Sequence, residues 1–245
     1  NQYLGILPQF QWNFAGIQYQ HSSFSSVHPS LFEGWPDEHA QDYYNTIQAW
    51  GRYNVGRRLQ VFLFVPYQYN IDHADTATSS SSGLGDISFL VNRIMIKDKG
   101  SAGGWGHQLI AGGGLKMPTG HHNGITTPDR LGLPNLQPGT GSWDFMINAN
   151  YTLRHNKQGL NLDAAYTLTT ANKDNFKYGN RLNAGLLWYY ALKFKGGVSL
   201  LPQAGLRYQY TLHDYDNYRK KWLNEQSGGY LSFGDVGLQA YYKRL

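Results

Sequence analysis

Polar and apolar residues alternate one by one along most of this chain. Leu160, Leu162, Ala164, Tyr166 and Leu168 interleave with Asn161, Asp163, Ala165, Thr167 and Thr169. Trp143, Phe145, Ile147, Ala149, Tyr151 and Leu153 interleave with Ser142, Asp144, Met146, Asn148, Asn150 and Thr152. The same period runs from Leu59 to Tyr69, from Leu182 to Leu192, from Val198 to Leu212 and from Val236 to Tyr242. A period of two sends successive side chains to opposite faces of a strand. It predicts up-strands near 14–27, 57–71, 104–118, 158–171 and 196–213, and down-strands near 41–54, 82–98, 140–156, 178–194 and 229–243. Strands of about 10–16 residues exceed the ~5–6 usual in soluble sheets and suit tilted, membrane-spanning strands with extensions.

The connections alternate in length. Short ones fall near 54–58, 98–104, 155–159 and 194–197, and long ones near 28–40, 73–83, 120–141, 171–179 and 214–229. Short periplasmic turns and long extracellular loops are the outer-membrane pattern. The serine run 79–82 is predicted to be a flexible loop tip. Tyr67, Tyr69, Trp143, Tyr208 and Tyr210 lie toward the long loops, and Tyr53, Tyr151, Phe194 and Tyr242 toward the short turns. Two such aromatic girdles mark the two faces of a bilayer. A soluble β-sandwich or lipocalin-like barrel also alternates, but strand length, loop asymmetry and aromatic placement favour a spanning barrel.

The predicted fold is therefore all-β: a transmembrane antiparallel up-and-down β-barrel of 10–12 strands, a single domain over 1–245, with its first and last strands joined in one closed sheet. Segment 1–13, apolar over 3–10, is an extra strand or a segment tucked into the lumen. Single-chain barrels have even strand numbers, so an eleventh strand calls for a twelfth. The ending Tyr241-Tyr242-Lys243-Arg244-Leu245 lacks the terminal Phe or Trp common in this class, so twelve strands are expected for the complete protein.

Composition narrows the class. Charged residues are 15% of the chain, against about 25% in soluble domains. Mean hydropathy is −0.51. The longest apolar runs, 61–65 and 184–192, are far short of the ~18 residues of a spanning helix. No cysteine is present, which excludes disulfide frameworks and thiolate metal sites within these residues. A net charge of +5 with no basic block or helix gives nucleic-acid binding no support. The sequence opens at Asn1 without a signal peptide and is read as mature or trimmed. Arg57, Arg58, Lys97, Lys99, Lys157, Lys193 and Lys195 make the short turns basic, either as partners of the inner-leaflet headgroups or as solvated turn residues.

Candidate chemistry concentrates in three segments: GLGD at 83–86, KMPTG at 116–120 and GTGSWD at 139–144. Strand parity turns Asp86, Lys116 and Asp144 to the polar face at similar depth, with Lys116 on the middle strand able to meet both carboxylates. A structural ion network or a polar constriction of the lumen follows. Arg52, Arg154, Asp163, Arg181, Gln203, Arg207 and Gln209 are predicted to line the lumen, a bulky and charged set that argues against a wide aqueous pore. His21 and His213 are also expected to point inward. The inward glycines Gly112 and Gly114 leave space beneath Lys116, which segment 3–10 would fill.

Those three segments, in that order, resemble the meta-pathway phenol-degradation family of outer-membrane transporters, over residues 80–210. The opening 4–10 and the 14–24 stretch resemble Bacteroidetes-type members. The resemblance implies an outer-membrane barrel and small-molecule transport.

Three functions are compatible with this reading: a narrow channel or transporter for a small solute, a structural or accessory subunit of a larger outer-membrane complex, and an outer-membrane enzyme. No His-Ser-Asn constellation or Gly-x-Ser-x-Gly elbow supports the enzyme, so no catalytic residue is assigned. His121 and His122 in the longest loop, and His28 and His39 in the first, lack the fixed outer shell of a metal site. No metal or cofactor is expected. The expected partners are outer-membrane lipids and lipopolysaccharide, and other outer-membrane proteins in the accessory reading; Arg219, Lys220 and Lys221 read as a solvated loop first and as a contact to lipopolysaccharide phosphates or a partner second.

Overall fold

The computed structural model describes residues 13–28, 38–74, 78–98, 100–101, 103–122, 136–216, 220–224 and 227–242. In chain order the strands are β1 (Phe14–His28), β2 (Glu38–Val55), β3 (Leu59–Ala74), β4 (Thr78–Leu84), β5 (Ser88–Asp98), β6 (Trp105–Lys116), β7 (Asp144–His155) and β8 (Gln158–Thr169). Then follow β9 (Phe176–Lys177), β10 (Arg181–Tyr190), β11 (Leu192–Lys193), β12 (Val198–Thr211), β13 (Tyr215–Asp216), β14 (Lys221–Trp222) and β15 (Gly229–Tyr242). The wall runs β1-β2-β3-β5-β6-β7-β8-β10-β12-β15, each strand antiparallel to its neighbour. β4 continues β5 as one broken pass along β3, and β11 continues β10 along β12. The ten predicted passes are thus all present, five up and five down.

Alternation places the faces. Ile17, Ile47, Leu63, Phe145, Ile147, Leu206 and Leu238 point outward and are exposed, while Gln60, Asn92, Gln108, Asn150, Thr152 and Asn161 point inward and are buried. A soluble sheet would do the reverse. An outward apolar belt bounded by exposed tyrosines and tryptophans is stable against lipid. Ile147 lies midway between Trp143 and Tyr151 on that face and is 65% exposed. Ile147→Arg is expected to cost about 2–4 kcal/mol of folding free energy, the penalty of a cation near the bilayer midplane. A chemical denaturation series in lipid vesicles measures it. An effect below about 1 kcal/mol would place the residue at an interface instead.

Several expectations need correction. The serine run is not a loop tip: Ser80 pairs with Ile71 and Ser82 with Tyr69, because β3 extends to Ala74 and offers these residues a partner edge. His21 shares the outward parity of Ile17 and Tyr19, is exposed, and meets Asn45 through Nδ1 at 2.8 Å. The space beneath Lys116 is taken: a side chain at Gly112 or Gly114 would collide with the β5 backbone and with Asn92 or Leu90. The sheet curls, yet β1 and β15 do not pair with each other among the described residues. Their outer halves instead line opposite sides of a cavity of about 1030 Å³. At the periplasmic end the wall draws closer, with Arg52 of β2 in electrostatic reach of Tyr241 of β15. Segment 3–10 lies outside the described residues, so its role as strand or plug is not addressed by the structure.

The lumen is also less uniformly polar than expected. Phe62, Phe64, Leu90 and Met146 point inward and pack together with Trp50. Trp50 stacks on Phe64 at 5.9 Å between centroids, and Phe14 meets Trp50 edge-on at 4.7 Å. Toward the periplasm, Tyr189 and Leu201 form a second apolar cluster with Leu187, Ala191 and Tyr241. Parity sent these side chains inward, and bulk apolar groups there shut out water.

Candidate functional site

The site begins at an irregularity. β3 pairs Tyr67 with Leu84 and Phe64 with Ser88, so residues 85–87 stand opposite only 65–66. One extra residue in one strand is a β-bulge, which bends the strand and re-aims its side chains. Gly85 stays tied, its N–H donating to the Pro66 carbonyl at 2.8 Å. The next residue, Asp86, turns into the lumen.

There Asp86 meets the end of β6. Lys116 Nζ lies 3.0 Å from Asp86 Oδ2 and 2.8 Å from Asp144 Oδ2, and donates to Thr140 Oγ1 at 2.5 Å. Asp144 is the register partner of Lys116 across β6 and β7. Its other oxygen accepts from Ser142 Oγ at 3.0 Å. A second cation joins from β10, with Arg181 Nη2 3.6 Å from Asp144 Oδ2. The side chains of Asp86 and Asp144 are 4% and 1% exposed, Lys116 is 11% exposed and Arg181 41%. Two carboxylates and two cations sum to zero charge. Removing such charges from water costs several kcal/mol per ion, which only close pairing and further hydrogen bonds offset.

Asp86 also ties down the long β6–β7 connection. Its Oδ1 accepts from Gly120 N at 3.0 Å, and its Oδ2 accepts from Thr140 N at 2.9 Å and Thr140 Oγ1 at 2.6 Å. Residues 117–122 and 136–143 thus fold over the mouth instead of standing clear of it. Met117 N donates to Ile87 O at 2.9 Å, His121 N to Leu84 O at 2.7 Å, and Asn70 Nδ2 to Leu136 O at 2.9 Å. The two arms touch at Gly120 and Gly139, where a Cβ on either would lie 2.6 Å from backbone carbon of the other. Only glycine fits both positions.

The next loops lean on this one. His122 Nε2 meets Asp174 Oδ2 at 2.7 Å, and Asn172 Nδ2 donates to the Thr140 carbonyl at 3.1 Å. β9, β13 and β14 form a small three-stranded sheet that joins the last two long connections. Asp214, just beyond β12, accepts from Gly179 N at 2.7 Å. Burial pushes its carboxyl above the usual range, against the Gly179 N–H, Arg181 and His213. The inward-facing His213 ring contacts Ser227 O at 2.5 Å.

The other residues predicted to line the lumen are spread along it, Arg207 and Gln209 sharing the 1030 Å³ cavity with Arg181. Arg207 binds Asp235 through Nε at 2.5 Å and Nη2 at 2.7 Å, and sits 5.0 Å above the Phe233 ring. Asp163 lies in electrostatic reach of both partners, in the room left by Gly185. Gln203 accepts from Gln239 Nε2 at 3.2 Å. Arg52 is buried near the periplasmic end, 5.1 Å over the Phe14 ring. Thr140, Ser142 and Gly120 were missed in the sequence, as was the apolar band. The run 61–65 signalled that band: five apolar residues in a row cannot all face lipid. Among the described residues, no group of three or more His, Asp or Glu could hold a metal ion. Beneath residues 138–140 lies a cavity of about 260 Å³, and beside Met146 and Arg181 one of about 130 Å³.

No family model matches the sequence, and no curated protein matches it. The structure is similar to the crystal structure of an outer membrane channel from Pseudomonas putida F1, with a TM-score of 0.63 over 90% of this chain and 79% of that one, at 18% sequence identity. The likeness is one of fold: this chain has the fold of an outer-membrane β-barrel.

Proposed function

We propose that this chain resides in the bacterial outer membrane as a narrow, loop-closed channel or transporter for a small solute. The observation that carries the reading is the double role of Asp86. It neutralises Lys116 within the lumen and holds both arms of the 117–143 connection across the mouth. A barrel that only scaffolds other proteins has no need of a tied loop over a chain of internal cavities. The GLGD, KMPTG and GTGSWD segments support kinship with the phenol-degradation transporters, and the opening segments a Bacteroidetes-type member. No catalytic residue, metal or cofactor belongs to this reading, and lipid with lipopolysaccharide completes its surroundings.

Planar-bilayer recording tests it. The intact protein is expected to conduct weakly, with rare openings. Gly139→Val places branched carbons against Gly120 backbone, so the loop arms part and conductance rises several-fold. Silence from both proteins, with stable co-purification of another outer-membrane protein, would replace the channel with the accessory-subunit reading.

A further inference from the structure

Arg181 stands at the junction of the outer lumen: its side chain lines all three cavities of about 1030, 260 and 130 Å³. Among the described residues its ion pair is the long one to Asp144, 3.6 Å, while both carboxylates of the cluster are enclosed by Lys116, Thr140, Ser142 and Gly120. Asp86 and Asp144 reach the walls of the two smaller cavities, and Asp42 and Asp214 border the large one, but the Asp86 and Asp144 side chains are far less exposed than Arg181, so in the smaller cavities a solute meets chiefly the guanidinium. Guanidinium presents a planar fork that matches a carboxylate with two parallel hydrogen bonds.

The facing wall has a different chemistry. Gln18 and Gln20 of β1, Gln48 of β2 and Gln68 of β3 line the 260 Å³ cavity opposite Lys116 and Arg181. Parity and register bring these amides together, since Gln18 pairs with Gln48 and Gln20 with Thr46, which in turn pairs with Gln68. Each amide both donates and accepts, as a hydroxyl does.

We propose that the outer lumen binds a small hydroxylated carboxylate, with its carboxylate on Arg181 and its hydroxyls on Gln18, Gln20, Gln48 and Gln68. The inference rests on the lumen being a solute path and names the class of solute. A neutral polyol leaves the guanidinium unmatched. A plain fatty carboxylate leaves the amides facing methylene groups, and a polar site left unpaired in this way rejects the wrong ligand strongly.

Calorimetric titration of the detergent-purified protein with D-gluconate, sorbitol and hexanoate tests this without requiring conductance. Gluconate is expected to bind saturably, at least about tenfold more tightly than either of the others. Arg181→Gln is expected to abolish the preference for gluconate over sorbitol, Arg181→Lys to keep part of it, and Gln48→Leu to erase the preference over hexanoate. Heat-modified gel mobility confirms that each variant is folded. Absence of saturable gluconate heat, equal binding of hexanoate, or an Arg181→Gln protein that binds like the parent would overturn the proposal. A silent bilayer with intact gluconate binding would instead fault the channel reading alone.

Discussion

Lys116→Met is expected to lower the stability of the barrel by about 3–5 kcal/mol, the loss measured when one partner of a buried ion pair is removed. Lys116 lies within 3.0 Å of both Asp86 and Asp144, whose side chains are 4% and 1% exposed. Methionine matches its length but leaves two carboxylates facing each other with little water. Arg181, at 3.6 Å from Asp144 alone, compensates only in part. The deficit should shrink as pH falls, because protonation removes the uncompensated charge. It should also shrink in the triple variant Asp86→Asn, Lys116→Met, Asp144→Asn, which removes the charges together. Guanidinium titrations of the folded barrel in vesicles report both effects. A Lys116→Met protein as stable as the parent would show the cluster to be well hydrated.

Phe64→Ala should have an effect of comparable size for a different reason. Phe64 is 1% exposed, stacked on Trp50 at 5.9 Å and on Phe62 at 6.2 Å, and packed with Leu90 and Met146. Truncating a buried phenylalanine costs about 3–5 kcal/mol through lost transfer energy and the cavity left behind. Here the cavity lies in the lumen. The same substitution should therefore raise single-channel conductance, which a cavity in a solid core could not do. Leu63→Ala, one residue away and pointing into lipid, is the control: stability should change far less and conductance not at all. If Phe64→Ala weakens the fold yet leaves conductance unchanged, the apolar band is not on the path.

Much of this architecture was readable in the sequence, because a barrel strand is a simple object. Inward and outward residues alternate, neighbours are antiparallel, and the turns fix register. Those rules alone place Asp86, Lys116 and Asp144 on one face at one depth. They also place Arg181 inward, but not at Asp144. That contact crosses β8, where Arg181 pairs with Thr167 and Thr169 pairs with Asp144, so a long side chain must reach past small ones. Side-chain reach over two strands has no signature in spacing. Nor has the conformation of a long loop: nothing periodic in 117–143 says that Gly120 and Thr140 return to Asp86. Strand parity was expected to turn His21 inward, yet in β1 it shares the outward face of Ile17 and Tyr19. An imidazole at the membrane rim has water and Asn45 for company, so facing outward costs it little.

The bulge at 85–87 does more than aim one aspartate. Below it, even-numbered residues of β5 face inward; above it, odd-numbered residues of β4 do. The pass thus carries two phases joined by a single surplus residue, much as a frameshift joins two reading frames. The outer hairpin of β3 and β4 keeps its own alternation, whatever the wall below requires. Natural variation in that hairpin, or a foreign epitope grafted into it, can change length and sequence in steps of two residues without re-phasing the membrane wall. A one-residue deletion at the bulge would merge the two phases into one regular alternation: Leu84 keeps its face and its partner Tyr67, and only the irregularity that aims Asp86 is lost.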